Sequence, residues 1–416
     1  MFTFFLNGKA VRSEETEACR YAIFSSDTAE VRTVFPGVRS EDVTVRPAAR
    51  EMRCEDTPDG AALSAEAPAK LCVAFAGEEK PLFLFLYRTE EAPQPSEHVR
   101  VLGAGEHDME EIPLASGDTL YLCEGARLHG RITALDAEDI TVCGRGVIDV
   151  SDYQERRRRV LLFRSTARLS VRDITIVGAD DWSFQLNGCR DVRIDSVNII
   201  TWNTRGDGID IVGSHDVTVE NACIRTADDC VVLKATDYNG PEGCADVYNI
   251  AVRHCVFWNA RPGNGIEIGF ETRCDEIRDV VFEDIDILCC EFEGWQSGGA
   301  LTIHNGDRAR IHRIVYRNIR IERAEEKLID FKVLDSRYSR DKERGVIEDI
   351  LLENIDVTGG ELMPSILQGH TVPGRDVRNV TFRGVRYLGR TLTDRAQLHL
   401  LAERTHDIRF ERGEEE

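Results

Sequence analysis

Eight apolar phrases of one texture recur along the chain: LSVRDITI from Leu169, VRIDSVNI from Val192, VTVENACI from Val217, IAVRHCVF from Ile250, VVFEDIDI from Val280, IVYRNIRI from Ile314, ILLENIDV from Ile350 and VTFRGVRY from Val380. Their starts lie 23 to 36 residues apart. Each phrase is β-branched, alternates at the two-residue period of a strand, and is too short for a helix. A repeat of that length with variable connections predicts a solenoid whose every coil adds one strand to each of several parallel sheets, about 4.8 Å above the last. The expected fold is all-β, a right-handed parallel β-helix.

A second strand recurs in each coil: WSFQLN at Trp182, DGIDIV at Asp207, DCVVLK at Asp229, NGIEIG at Asn264, GALTIH at Gly299 and KLIDFK at Lys327. The third and fifth residues of this frame are apolar throughout, from Phe184 and Leu186 to Ile329 and Phe331. That set is predicted to face the core. The fourth and sixth places then form two outward columns, Gln185, Asp210, Val232, Glu267, Thr302, Asp330 and Asn187, Val212, Lys234, Gly269, His304, Lys332. They are expected to line a groove.

Upstream, short apolar runs such as TFFLNGKAV, KLCVAFAG and KPLFLFLYR alternate with polar turns and predict a small antiparallel β-sandwich. The segment EEAPQPSEHVR, with its two prolines, reads as a linker or loop, and the domains are set at 1–105 and 106–416.

Charge narrows the partners. The 416 residues carry a formal net charge of -22, which argues against nucleic acid and anionic membranes, since phosphate binding needs a basic face. Thirteen cysteines without zinc-ligand spacing read as buried thiols. The N-terminal MFTFFLNGKAV lacks a basic flank and reads as a first strand rather than a signal peptide, and no run suits a membrane span. A cytoplasmic location is the expectation.

The registered frame brings candidate chemistry with it. Asp207 and Asp229 hold the same first place on consecutive coils and Asp228 adjoins the latter, so three carboxylates are predicted to share one patch. Crowding raises at least one pKa, leaving one group as an acid and another as a base. Two such groups flanking a glycosidic oxygen perform hydrolysis, and a gap of roughly 6.5 to 9.5 Å leaves room for water and gives inversion. Asp-Gly and Asp-Asp are also ordinary turn pairs, and three aspartates also suit calcium.

NTRGDGIDI and ADDCVVLK resemble the paired motifs of the polygalacturonase family of glycoside hydrolases, usually NTDGIDI and GDDCIAIK. SGDTLYLCEGARLHGRI and GRGVIDVSDY resemble the opening coils of that family and of the related dextranase and isopullulanase family, whose members carry an N-terminal β-sandwich. The resemblance implies Asp228 as general acid, Asp207 and Asp229 as the pair that activates water in an inverting reaction, and no cofactor. Departures are equally plain. Arg205-Gly206 is inserted before the first aspartate, Gly263-Asn264-Gly265 stands where the family has Gly-His-Gly, and Thr302-Ile303-His304 stands where it has Arg-Ile-Lys. The loss of cationic partners disfavours plain galacturonan and points to a neutral or mixed glycan. Asn264, Glu267, His304, Lys332, Lys234 and Asp330 are the candidate substrate contacts, with Trp202 and Trp295 as candidate stacking platforms. The rival readings are a calcium-dependent β-helix lyase or epimerase and a non-catalytic glycan-binding module.

Overall fold

In a computed structural model, residues 2–153, 158–291 and 298–413 are described. Trp295 lies outside them. The chain divides into two compact units, Met1–Ala92 and Pro93–Glu416.

The first unit holds two five-stranded sheets. Most of its pairings are antiparallel, with one parallel pair between Arg20–Ser26 and Leu82–Arg88. Alternation along strands such as Glu30–Pro36 puts Val31 and Phe35 into a core with Phe4, Leu63 and Leu84, so each sheet has one apolar face to cover.

The second unit is a parallel β-helix, a single ladder of 30 strands. The division falls at residues 92 and 93 rather than near 105, because Val99–Leu102 already pairs in parallel with Thr119–Leu122 of the next coil. The eight phrase starts stack on one another without a slip: Leu169 on Val192, then Val217, Ile250, Val280, Ile314, Ile350 and Val380. Each phrase is more than one straight strand. VTVENACI comprises His215–Glu220 and Cys223–Thr226 about a corner at Asn221, whose φ of 54° is the left-handed conformation that Asn tolerates. With the strand of the second frame, most coils therefore have three.

The second frame stacks equally well, Phe184 on Ile209, Val231, Ile266, Leu301 and Ile329. Its third and fifth residues are sealed in the core. All thirteen cysteines are free thiols and most are buried, as the sequence implied.

Candidate active site

Short turns lead into the strands of the second frame, and their last residues stack as first places of the frame. The amide of Ser183 donates to the Asp207 carbonyl, Gly208 to that of Asp229, and Cys230 to that of Asn264. This pairing carries Asp207 and the Asp228-Asp229 pair onto adjacent coils, and one carboxylate oxygen of each lies within 4.8 Å of the others. The insertion before Asp207 is absorbed by a local turn. Gly206 donates to the Asn203 carbonyl at 2.9 Å, Thr201 Oγ1 and Asn203 Nδ2 both donate to the Ala179 carbonyl, and Thr204 and Arg205 are left exposed. The cluster is tighter than the wide gap anticipated for an intervening water. All three acids stem from neighbouring rungs, and rung spacing of about 4.8 Å sets their separation.

Asn264 holds Asp229 in place. Its backbone amide and its Nδ2 both donate to Asp229 Oδ1, at 2.9 and 2.7 Å, and its own Oδ1 accepts from the Gly299 amide at 3.1 Å. Asn264 is thus a clamp on Asp229, where a substrate contact was expected. Gly263 allows this approach, since a Cβ there would sit 2.0 Å from the Asp228 carbonyl carbon.

Electrostatics raises two of the acids together. Burial, then the charges of Asp207 and Asp229, push Asp228 well above the usual carboxylate range. Burial, then Asp207 and Glu267, push Asp229 up as well. Lys234 Nζ donates to Asp207 Oδ2 at 2.7 Å and to Asp210 Oδ1 at 2.9 Å. Burial opposes the ammonium charge, but those two carboxylates outweigh it and raise Lys234 well above its ordinary value. Asp229 and Asp207 are buried, whereas Asp228 is partly exposed.

The outward columns do not line an open groove. Gln185, Asp210, Glu267, Thr302, His304 and Asp330 are fully buried, and Lys234 and Lys332 nearly so. Buried polar groups seek partners, and here the columns supply most of them, with Asp210 Oδ2, His304 Nε2 and Asp330 Oδ1 making no hydrogen bond. His304 Nδ1 lies 3.0 Å from Glu267 Oε1, Thr302 donates to Glu267, His304 Nε2 is 3.4 Å from Asp330 Oδ2, and Lys332 Nζ donates to the same Asp330 oxygen at 2.8 Å. The Phe270 ring stacks on His304, centroids 4.4 Å apart, and Tyr338 packs beside Phe270. Glu267, His304 and Asp330 therefore form an internal ladder rather than the substrate contacts the alternation suggested. Alternation gives the side of the sheet; it says nothing of what covers that side.

This ladder has a pH signature. Burial disfavours the charged imidazole, but Glu267 and Asp330 overcome it and raise His304 to about 9. A folded pKa above the unfolded value of about 6.5 gives stabilisation that is complete below that unfolded value and is lost as pH rises through the folded one. The thermal midpoint should thus fall from about pH 6.5 to about 9, and His304→Gln should flatten that slope. A wild-type midpoint constant over this window would contradict the ladder.

Several residues around the site were not nominated from sequence. Trp182 occupies the first place of the frame one coil before Asp207, and its ring centroid lies 4.0 Å from Lys234 Nζ and 4.3 Å from the Arg159 guanidinium. Arg159 also pairs with Asp181. The frame that picked out Asp207 already contained Trp182, so the signal was present. Tyr238 and Tyr338 come from connections whose paths strand periodicity does not fix, and Phe270 from the strand Ile266–Thr272 just past the sixth place of the frame. Trp202 is half-buried in the turn before Asp207.

Fold and rung together define a class, a parallel β-helix protein with acidic side chains stacked on adjacent coils. Within that class the chain belongs to glycosyl hydrolases family 28, whose model matches residues 146–395, 250 of the 416 residues. A probable polygalacturonase of Arabidopsis thaliana is 23% identical over 223 residues, covering 51% of this chain and 46% of that protein. An exopolygalacturonase of Platanus acerifolia is 26% identical over 182 residues, covering 43% and 44%. The chain thus spans about half the length of the curated relatives it matches. A family 28 exopolygalacturonase of Yersinia enterocolitica shares the fold, with a TM-score of 0.61 at 14% identity over 94% of this chain and 95% of that one.

Proposed function

We propose that the chain is an inverting glycoside hydrolase that cleaves O-glycosidic bonds of an oligo- or polysaccharide. The observation that carries this reading is the meeting of Asp207, Asp228 and Asp229 within 4.8 Å on adjacent coils, and family membership supports it. Asp228 is the general acid. Burial and two like charges raise its affinity for a proton, and it is the acid of the three that reaches the surface. Asp207 and Asp229 hold the attacking water between them, since oxygens this close can each accept one of its hydrogen bonds. The water oxygen bonds to the anomeric carbon, its proton passes to that carboxylate pair, and the departing sugar oxygen takes the proton of Asp228. Trp202 stands in the turn beside the cluster and suits contact with a sugar face.

The spacing also favours a second reading. Carboxyl groups roughly 5 Å apart are usual for retaining enzymes, in which one acid is the nucleophile. Proton NMR of the first-formed anomer separates the two: an inverted product is expected, and a retained one would overturn the roles given to Asp207 and Asp229. A calcium-dependent lyase would yield an ultraviolet-absorbing unsaturated product and lose activity with chelator; neither is expected.

The substrate is a neutral or mixed glycan rather than plain galacturonan. Among the described residues of the site floor, Lys234 faces Asp207 and Asp210, His304 faces Glu267 and Asp330, Lys332 faces Asp330, Lys327 faces Glu326, and Arg159 faces Asp181. A uronate carboxylate bound by these buried cations would have to break one of these pairs, and exchanging one buried carboxylate partner for another yields little net gain; the exposed Arg205, beside the cluster, stands outside them. On a panel of neutral glycans, mixed glycans and galacturonan read by product chromatography, turnover should be fastest on a neutral or mixed chain. Rapid cleavage of galacturonan alone would contradict the specificity and leave the hydrolytic roles standing.

A further inference from the structure

We infer that the cleft is barred one coil before the aspartates by side chains from both of its edges, so that the enzyme works from a chain end and releases a short product of fixed length. The inference rests on the hydrolytic reading above.

The two edges are the turns that lead into the strands of the second frame and the loops that follow them. Trp182 comes from a leading turn, just before the strand Phe184–Asn187. Tyr238 comes from the loop that follows Val231–Ala235. Their rings nevertheless meet, with centroids 6.3 Å apart. Beneath them the edges meet again on Gln185: Arg159 Nε, from the leading side, donates to Gln185 Oε1 at 3.1 Å, and Asn239 Nδ2, from the following loop, donates to the same oxygen at 2.7 Å. Gln185 is fully buried by this closure. Two cations lie over the Trp182 ring, Lys234 Nζ at 4.0 Å and the Arg159 guanidinium at 4.3 Å from its centroid. The indole is therefore anchored as a wall, held by two cations and by the Tyr238 ring.

Trp182, Asp207 and Asp229 hold the same place on three successive coils, as the pairings of Phe184 with Ile209 and of Ile209 with Val231 require. Two rung spacings, about 10 Å, therefore separate the bar from Asp229. That length admits one or two sugar units and no continuing chain. A substrate threaded past the aspartates would run into Trp182.

The test uses the full-length protein with two linear hexasaccharides, one of galacturonic acid and one of neutral hexose, with products resolved at early conversion. A chain-end enzyme gives a single complementary pair of lengths, monomer with pentamer or dimer with tetramer. Tyr238→Ala is the first variant, because Tyr238 is 41% exposed and its loss leaves the core untouched; Trp182→Ala is the second. Each is expected to add at least one further pair of product lengths. Several pairs from the wild-type protein, or a single pair retained by both variants, would overturn the bar while leaving hydrolysis itself established. If neither hexasaccharide nor any glycan of the wider panel is cleaved, the hydrolytic reading fails and this inference falls with it.

Discussion

Asp228→Asn should lower kcat by about 10²–10⁴-fold, the range for loss of a general acid, while the thermal midpoint stays where it is or rises slightly. Asp228 accepts a hydrogen bond from the Asp229 amide at 3.1 Å, and an asparagine carbonyl accepts it equally well. Burial and the charges of Asp207 and Asp229 disfavour a carboxylate at this position, and a neutral amide meets neither cost. Stability therefore has nothing to lose, while the proton for the leaving group is gone. Reducing-end release and a melting curve on the same preparation check both halves. A variant with full turnover would remove Asp228 from the reaction, and one that melts many degrees lower would make the aspartate structural.

Lys234→Met should destabilise the protein by about 3–5 kcal/mol near neutral pH, the cost of leaving buried charges without their partner. Lys234 is 5% exposed and is the ammonium between Asp207 and Asp210. Methionine fills similar volume, so the loss is electrostatic rather than a cavity. Burial first, then repulsion from Asp207, pushes Asp210 well above the usual carboxylate range even with Lys234 present. Without the lysine Asp210 takes up a proton readily, and acid relieves the strain between the two carboxylates. The difference between variant and wild type should therefore shrink as pH falls toward 4, the ordinary carboxylate range. Urea unfolding at two pH values measures it. Equal midpoints at neutral pH would show that the bridge contributes nothing.

What could be read from the sequence was whatever the coil repeat controls. Register is a property of the period, so the stacking of Leu169 through Val380 and of Phe184 through Ile329 follows from apolar alternation alone. Asp207 and Asp229 meet for the same reason, though they are 22 residues apart in the chain. What covers each face is set by connections that carry no period. Tyr238 against Trp182 comes from such a segment, and Phe270 over His304 lies where the strand Ile266–Thr272 runs on past the frame, so the polar columns that alternation placed outside the core proved to be sealed. The domain division moved for a related cause: Val99–Leu102 begins inside the proline-bearing segment that reads as linker, yet it supplies the first parallel pairing of the solenoid.

The proposition on which all this depends is that the three carboxylates of one rung act as a single hydrolytic unit. Residues that act as a unit lose activity together rather than additively. The deciding measurement is glycan hydrolysis by Asp207→Asn, Asp228→Asn, Asp229→Asn and the triple variant, assayed side by side with their melting temperatures. The account predicts folded proteins in which each single change costs nearly as much as all three. Losses that multiply from one substitution to the next, or a folded single variant as active as the wild type, would contradict it.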